Sequence, residues 1–470
     1  MKLSADSRPV PVRGETLVKF FTRAEKGTIP SPVPEAEWSA AANSTLMLHH
    51  EGVLCVGLGD GAKLTVQSIR AAAGTAVRTL RRSGRRSAAL DLRGHTKWLA
   101  AAAEGAVMGG YEFADFKKAK GEALESVRLI VNAADLPKAR KQVRRGEITG
   151  TAANLARQVG NQPGNLLYPE TLADECRRVA KREHLKVTVL DEKQLAKGGF
   201  GGLIAVGAGS KRPPRLIILR HDGGIPGEPP IALVGKAITF DTGGISIKSA
   251  DKMEDMIFDK CGGMAVLGAM AGIARLKLNR NVVGIIASAE NMPSATAYRP
   301  GDIVRTYDGT YVEVINTDAE GRMVLADAIA YARKDCKACA MVDLATLTGA
   351  CVVALGDYAA GLWSTSERLQ AALLAASAKT GERLWPMPLY DEYTEQIRSE
   401  VAAIKNTGGR PGGACTAAAF LKTFAGDTPW AHLDIAGVAN TSKARPEMSR
   451  GATGFGARLL IELVDGWRLG

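Results

Sequence analysis

Along most of its 470 residues this chain alternates short apolar, β-branched runs with stretches of helical periodicity, and a layered α/β architecture is what buries both kinds of face. Residues 45–48, 53–58, 87–92 and 127–132 read as strands, with a helix over 64–80 between them. Further on, 169–184 reads as a helix and 187–190, 215–219 and 231–234 as buried strands. A chain of this length exceeds what one hydrophobic core usually supports. The expected organisation is a smaller N-terminal α/β domain over 1–140 and a linking helix and loop over 141–165, which ends in Asn161, Gln162, Pro163, Gly164 and Asn165. A larger α/β domain over 166–470 follows, with a mixed sheet flanked by helices.

Several functional classes fit poorly. Aromatic residues make up only 5% of the chain, too few for a surface that binds nucleic acid by stacking. The net charge is +12, and residues 1–150 carry most of it, with 24 Lys and Arg against 15 Asp and Glu. The cluster Arg78, Arg81, Arg82, Arg85 and Arg86 could draw DNA through phosphate contacts, although a solvated helix face is the commoner source of such a run. Gly57, Gly59 and Gly61 admit a nucleotide or ADP-ribose site, but no phosphate-loop spacing accompanies them. The seven dispersed cysteines read as reduced thiols of a cytoplasmic protein, and the lone Cys336/Cys339 pair as packing. Residues 1–20 lack the apolar core of a signal peptide. The apolar stretch 338–356 contains Asp343 and two glycines, which suits a buried strand and turn better than a membrane span.

The chemistry-bearing residues gather in two places. After the apolar run 231–234 come Lys236, Asp241, Gly243, Gly244 and Lys248, a glycine-flexed segment at a strand end, where open α/β sheets place ligands. Asp259 follows, then an apolar helical run over 264–276. The second cluster is Asn316-Thr317-Asp318-Ala319-Glu320-Gly321-Arg322, ahead of a helix expected to begin near Met323. In an extended loop Asp318 and Glu320 project to one side. Together with Asp241 and Asp259 they offer enough oxygen ligands for two divalent ions. The six histidines lie outside these clusters, so a histidine-based zinc site or a Ser-His-Asp triad has little support.

The segments VGKAITFDTGGISIK and NTDAEGR resemble the two signatures of the leucyl aminopeptidase (cytosol aminopeptidase) family. The similarity runs from about Asn154 to Glu462 and includes NQPGN, DLATLTGA, TGGRPGGACTAAAFL and PWAHLDIAG; the part before about Arg140 carries no recognisable motif. The resemblance implies a cytoplasmic metallo-exopeptidase that releases N-terminal residues, preferably apolar ones such as leucine, from short peptides by attack of a metal-bridging water. It makes Lys236, Asp241, Asp259 and Glu320 ligands of a tightly held ion, and Asp241, Asp318 and Glu320 ligands of an exchangeable one. The ions would be Zn²⁺ or Mn²⁺, with Mg²⁺ or Co²⁺ at the exchangeable position. Lys248 would act as electrophile beside the scissile carbonyl, and Arg322 would hold a proton-shuttling bicarbonate. Thr346, Leu347 and Gly349 would bind substrate through the backbone, while Met256 and Ala436 would line the side-chain pocket. A homohexamer made of two trimers, with no membrane association, is also implied. Two departures stand out: Lys248 is followed by Ser249 rather than proline, and Asp259 by Lys260 and Cys261, so that Lys260 adds a cation beside the acids.

Overall fold

The computed structural model describes residues 1–8, 14–30, 37–118 and 122–467. It divides into two compact units, one comprising Met1–Asn154 with Ser442–Arg450 and the other Leu155–Thr441 with Gly451–Gly470. The helix Leu136–Gly160 is continuous and carries the chain from the first unit into the second.

The first unit is built on β1 (Lys2–Asp6), β2 (Thr16–Thr22), β3 (Thr45–Leu48), β4 (Val53–Gly59), β5 (Ser87–Asp91) and β6 (Ser126–Ile130), in the spatial order β1-β6-β5-β2-β4-β3. Every pairing is parallel except β3 with β4 at the edge. Parallel strands need crossovers, and helices Val66–Arg82 and Leu99–Gly109 supply two of them and bury their alanine-rich faces on the sheet. The segment Ser442–Arg450 belongs to this unit through specific contacts. Gln67 donates to Glu447 at 2.7 Å, Arg78 donates to the carbonyls of Arg445 and Met448, and Gly74 lies against the Glu447 backbone. The arginine cluster is accordingly partly committed: besides Arg78, Arg81 donates to the Gly110 carbonyl and Glu112, and Arg86 pairs with Glu125.

The second unit carries an eight-stranded mixed sheet. Its strands are β7 (Lys186–Leu190), β8 (Arg215–Asp222), β9 (Ile231–Asp241), β10 (Asn281–Asn291), β13 (Ala340–Ala345), β14 (Ala360–Ser364), β15 (Leu384–Pro386) and β17 (Trp430–Asp434). Three short strands, β11 (Ile303–Arg305), β12 (Tyr311–Glu313) and β16 (Ile404–Lys405), form a separate ribbon. The large sheet runs β15-β14-β17-β13-β9-β10-β8-β7, and its four central strands, β17, β13, β9 and β10, are mutually parallel. Helices Cys261–Leu276 and Glu320–Lys334 pack on the sheet, which is why the central strands are buried along nearly their whole length rather than alternately buried and exposed. The segment Met253–Leu276 is long and apolar enough to cross a membrane by composition, but 83% of its most apolar window is buried inside the protein, as a core helix would be. The residues expected to contain a buried strand and turn, 338–356, hold β13 and the short helix Gly349–Leu355. Two further strands, β18 (Asn440–Thr441) and β19 (Gly451–Ala452), pair antiparallel, so the chain leaves for Ser442–Arg450 and returns through adjacent positions. All seven cysteines are free thiols.

Candidate active site

The parallel strands β9, β13 and β17 all point their carboxyl ends at one cavity of about 760 Å³. Every site residue that the family resemblance implies lines it: Lys236, Asp241, Lys248, Met256, Asp259, Asp318, Glu320, Arg322, Thr346, Leu347, Gly349 and Ala436.

The loops that carry the acids are held by one another. Asp241 ends β9, and the chain then turns through Gly243 and Gly244, both at positive φ (86° and 69°), to bring Lys248 back with its amide on the Thr242 carbonyl at 2.9 Å. A side chain at Gly243 would sit 2.5 Å from the Ser246 carbonyl oxygen and 3.0 Å from Asp318 Oδ1, so this turn requires glycine. The Thr317 hydroxyl donates to the Gly243 carbonyl at 2.6 Å and accepts from the Ser246 amide at 2.8 Å, which locks the second acidic segment onto the first. The helix here begins at Glu320, three residues before the expected start. Asn316 is the reason: its side-chain oxygen accepts the Asp318 amide at 2.8 Å and curls the chain, so Asp318 sits in a turn while Glu320 and Arg322 occupy the first helical turn.

Four carboxylates and three cations share this small volume. Lys236 lies 2.8 Å from both Asp259 and Glu320 and donates to the Thr346 carbonyl at 2.9 Å. Lys248 lies 2.9 Å from Asp241 and also contacts Asp318. Asp241 is further fixed by the Gly243 amide at 2.9 Å and by Asn291 at 2.8 Å, and Asp259 by the Thr346 hydroxyl at 2.7 Å. Burial, reinforced by the charge of Asp241, pushes Glu320 up to about 8 and Asp259 up to about 6, and raises Asp318 as well. Burial works against the charge of Lys236 and Lys248, yet the surrounding carboxylates outweigh it and hold both above the ordinary lysine range. Burial draws Arg322 down to about 10 against the pull of Glu320 and Asp434, and its guanidinium donates to the Asn406 carbonyl at 2.9 Å.

The donor set fits a divalent metal. Ligand oxygens of Asp241, Asp259 and Glu320 lie within 4.8 Å of one another, and all three residues are buried. Among the described residues Asp259 Oδ2 and Glu320 Oε2 are buried without a hydrogen-bond partner, an arrangement that is costly in an ordinary ion-pair network and suits carboxylates that face a cation.

Comparison with known proteins decides the family. The model of the cytosol aminopeptidase family catalytic domain matches residues 154–461, and that of the family's N-terminal domain matches residues 15–120. The chain belongs to the cytosol aminopeptidase family. It is 45% identical over 466 residues to a probable cytosol aminopeptidase of Syntrophotalea carbinolica, covering 96% of this chain and 94% of the relative. A probable cytosol aminopeptidase of Cenarchaeum symbiosum is 44% identical over 423 residues, covering 88% and 86%. Among solved structures, the bottromycin maturation enzyme BotP in complex with Mn matches with a TM-score of 0.87 at 35% identity, covering 96% of this chain and 99% of its own. This protein is therefore a metal-dependent aminopeptidase, and residues 15–120 of its first unit, in which no motif is legible, match the family's N-terminal domain.

In this aminopeptidase the two departures from the family pattern have different fates. Ser249 lines the cavity. Lys260 does not: it is fully buried, and its ammonium donates to the carbonyls of Gln162 at 2.9 Å and Ile257. Its cation is thus spent on the backbone, where burial lowers it to about 8. Sequence reading overlooks several supporting residues. Asn291 closes β10 and bridges Asp241 to the Thr317 carbonyl, which Tyr298 also contacts at 2.7 Å. Asp434 closes β17 and holds the loop after β13. An aspartate at the end of an apolar strand, the same pattern that marks Asp241, is the signal that could have found Asp434. His432 is remote from metal chemistry: it is buried against Asp343 at 2.6 Å, which also accepts from Trp430 at 2.8 Å.

Proposed function

We propose that this aminopeptidase holds the free N-terminus of a short peptide in the 760 Å³ cavity and cuts the first peptide bond with two divalent ions. The observation that carries the reading is the pair of unpartnered, buried carboxylate oxygens, Asp259 Oδ2 and Glu320 Oε2, beside Asp241. Lys236, Asp241, Asp259 and Glu320 would hold the tight ion, with Lys236 neutral, and Asp241, Asp318 and Glu320 the exchangeable one. Such an oxygen-rich set accepts Zn²⁺ and Mn²⁺, and Mg²⁺ or Co²⁺ at the looser position. When bound, the ions supply Lewis acidity that activates water and stabilises charge on the carbonyl oxygen.

The remaining roles fall to side chains. Lys248 keeps part of its surface open to the cavity and would donate to the carbonyl oxygen of the scissile bond, where negative charge grows. Arg322 has a buried Nε with no hydrogen-bond partner and lines the cavity, which suits it to hold a small anion such as bicarbonate that passes protons. Thr346, Leu347 and Gly349 would bind the peptide backbone. Met256 and Ala436 offer an apolar seat for the first side chain, and Lys260, committed to carbonyls elsewhere, gives an acidic side chain no partner there. Leucine and methionine are therefore the expected first residues.

Family membership further supports a cytoplasmic homohexamer of two trimers. Exposed apolar side chains such as Val353, Tyr358 and Val401 are consistent with covered interfaces. The test is to strip metal, measure metal content and assay a panel of aminoacyl amides with and without added Mn²⁺, Co²⁺ or Zn²⁺. Loss on chelation and recovery with metal is expected; full activity of metal-free protein would overturn the reading. Light scattering should give the hexamer mass, and an active monomer would remove the assembly from it.

A further inference from the structure

Asp434 is fully buried at the end of β17, and among the described residues no lysine, arginine or histidine lies within ion-pair distance of it. All of its partners are neutral. Oδ1 accepts the backbone amides of Leu347 and Ala436, each at 3.1 Å, and Oδ2 accepts the Thr348 hydroxyl at 2.7 Å. The same hydroxyl accepts the Cys351 amide at 3.0 Å and so caps the helix Gly349–Leu355. β13 and β17 are parallel neighbours with Ala345 opposite Asp434, so the loops that leave them emerge side by side. One carboxylate spans both loops.

A buried carboxylate with no direct ion pair depends on its hydrogen bonds, and a neutral group cannot replace it without loss. Asparagine has one acceptor oxygen. Placed to accept the two amides, it turns its NH₂ towards the Thr348 hydroxyl, which then has no acceptor for its own proton. The opposite orientation sets NH₂ against two backbone N–H groups. The site thus needs an acceptor on both sides, which is what the two oxygens of the aspartate provide.

We propose that Asp434 is the positioning residue that sets the spacing between the two walls of the substrate pocket, Leu347 on one and Ala436 on the other, and thereby how tightly the first residue of the peptide is held. The inference rests on the reading of Leu347 and Ala436 as substrate-binding residues. Asp434 contacts none of the proposed metal ligands, but Leu347 follows Thr346, whose hydroxyl and carbonyl meet Asp259 and Lys236, so the metal content of each variant is measured beside its kinetics.

The test is steady-state kinetics of the metal-loaded enzyme on L-leucine amide, with L-leucine as competitive inhibitor, for wild type, Asp434→Asn, Asp434→Glu and Thr348→Val. Asp434→Asn should raise KM and the L-leucine inhibition constant in parallel by about tenfold, while kcat stays within about threefold. Asp434→Glu should fail to rescue, because an added methylene moves the acceptors away from the amides. Thr348→Val removes one donor and should raise KM by about threefold. A purely structural role would lower thermal stability and the active fraction, and so kcat, without moving KM. Unchanged KM in both Asp434→Asn and Thr348→Val, or a loss confined to kcat, overturns the proposal. If Asp434→Asn does not fold, Thr348→Val alone decides in the same terms. Wild-type enzyme with no metal-dependent activity would instead bring down the functional reading, so the two failures are distinguishable.

Discussion

The loop after β4 in the first unit and the loop after β9 in the second are both glycine-rich exits from a parallel strand, and their fates differ. At β4, a side chain on Gly57 would lie 2.1 Å from the Ala41 carbonyl oxygen, because residues 40–44 run directly over the strand. The Gly57 amide donates to Ser44 at 2.9 Å and the Gly59 amide to Ala40 at 3.0 Å, so the donors that could cradle a phosphate are already used. At β9, Gly243 and Gly244 turn the chain so that Asp241 and Lys248 face an open cavity, with neighbouring carboxylate oxygens left unpaired. Glycine at a strand end marks close backbone approach in both cases. What separates a site from a packing contact is whether charged atoms remain unsatisfied once the backbone has closed.

The contrast can be broken most directly at the acids. Glu320→Gln and Asp318→Asn should each cut turnover by about a thousandfold or more while thermal unfolding shows an intact fold. Near-normal turnover in both would mean that the cluster at β9 is as structural as the glycines at β4.

Lys236 gives the next largest effect. Its ammonium is held above its ordinary range by Asp259 and Glu320, so a metal that takes its lone pair must displace a proton. Occupancy should therefore fall as pH falls. Lys236→Arg keeps the charge but offers no lone pair, and should lose the tight ion and activity by about a hundredfold or more. Metal stoichiometry of both proteins between about pH 6 and 9 is the measurement. Two tightly bound ions in each, independent of pH, would refute the ligand role.

Substrate preference sharpens the picture on a smaller scale. Leucine amide should be cut at least about tenfold faster than glutamate amide in kcat/KM, since the seat proposed for the first side chain, Met256 and Ala436, is apolar and burying a carboxylate against it is costly. An acidic preference would show that a cation reaches the pocket after all. The smallest effect belongs to the first unit: Gly57→Ala should lower stability by about 1–3 kcal/mol and leave kcat/KM unchanged. The same exchange at Gly243 should cost activity, by about tenfold. Equal kinetic effects at the two positions would erase the distinction.

Much of this was legible in the chain because the proposed ligands are local. Asp241 and Lys248 lie on one loop, Asp318, Glu320 and Arg322 on another, and both follow apolar runs whose strand character is plain. The α/β layering was equally open, since a strand buried on both faces and a helix with one apolar stripe differ in period. What escaped depends on distance along the chain. Asp434 meets Leu347 and Thr348 across 87 and 86 residues, and Asn291 meets Asp241 across 50. No local pattern marks Lys260 as a backbone clamp, because the Gln162 carbonyl that receives it is 98 residues away. The attachment of Ser442–Arg450 to the first unit has no periodicity to announce it, being a short polar segment held by Gln67 and Arg78.

That attachment makes the two units inseparable by a single cut. Deletion of residues 1–154 would strip Gln67 and Arg78 from Glu447, Arg445 and Met448, leaving a hairpin arm on β18 and β19 with nothing to grip. Expression of 1–154 alone would lack the strip of chain that lies against Gly74. Either half is an incomplete object, so a domain shuffled by evolution or by design would have to exchange two stretches of gene rather than one.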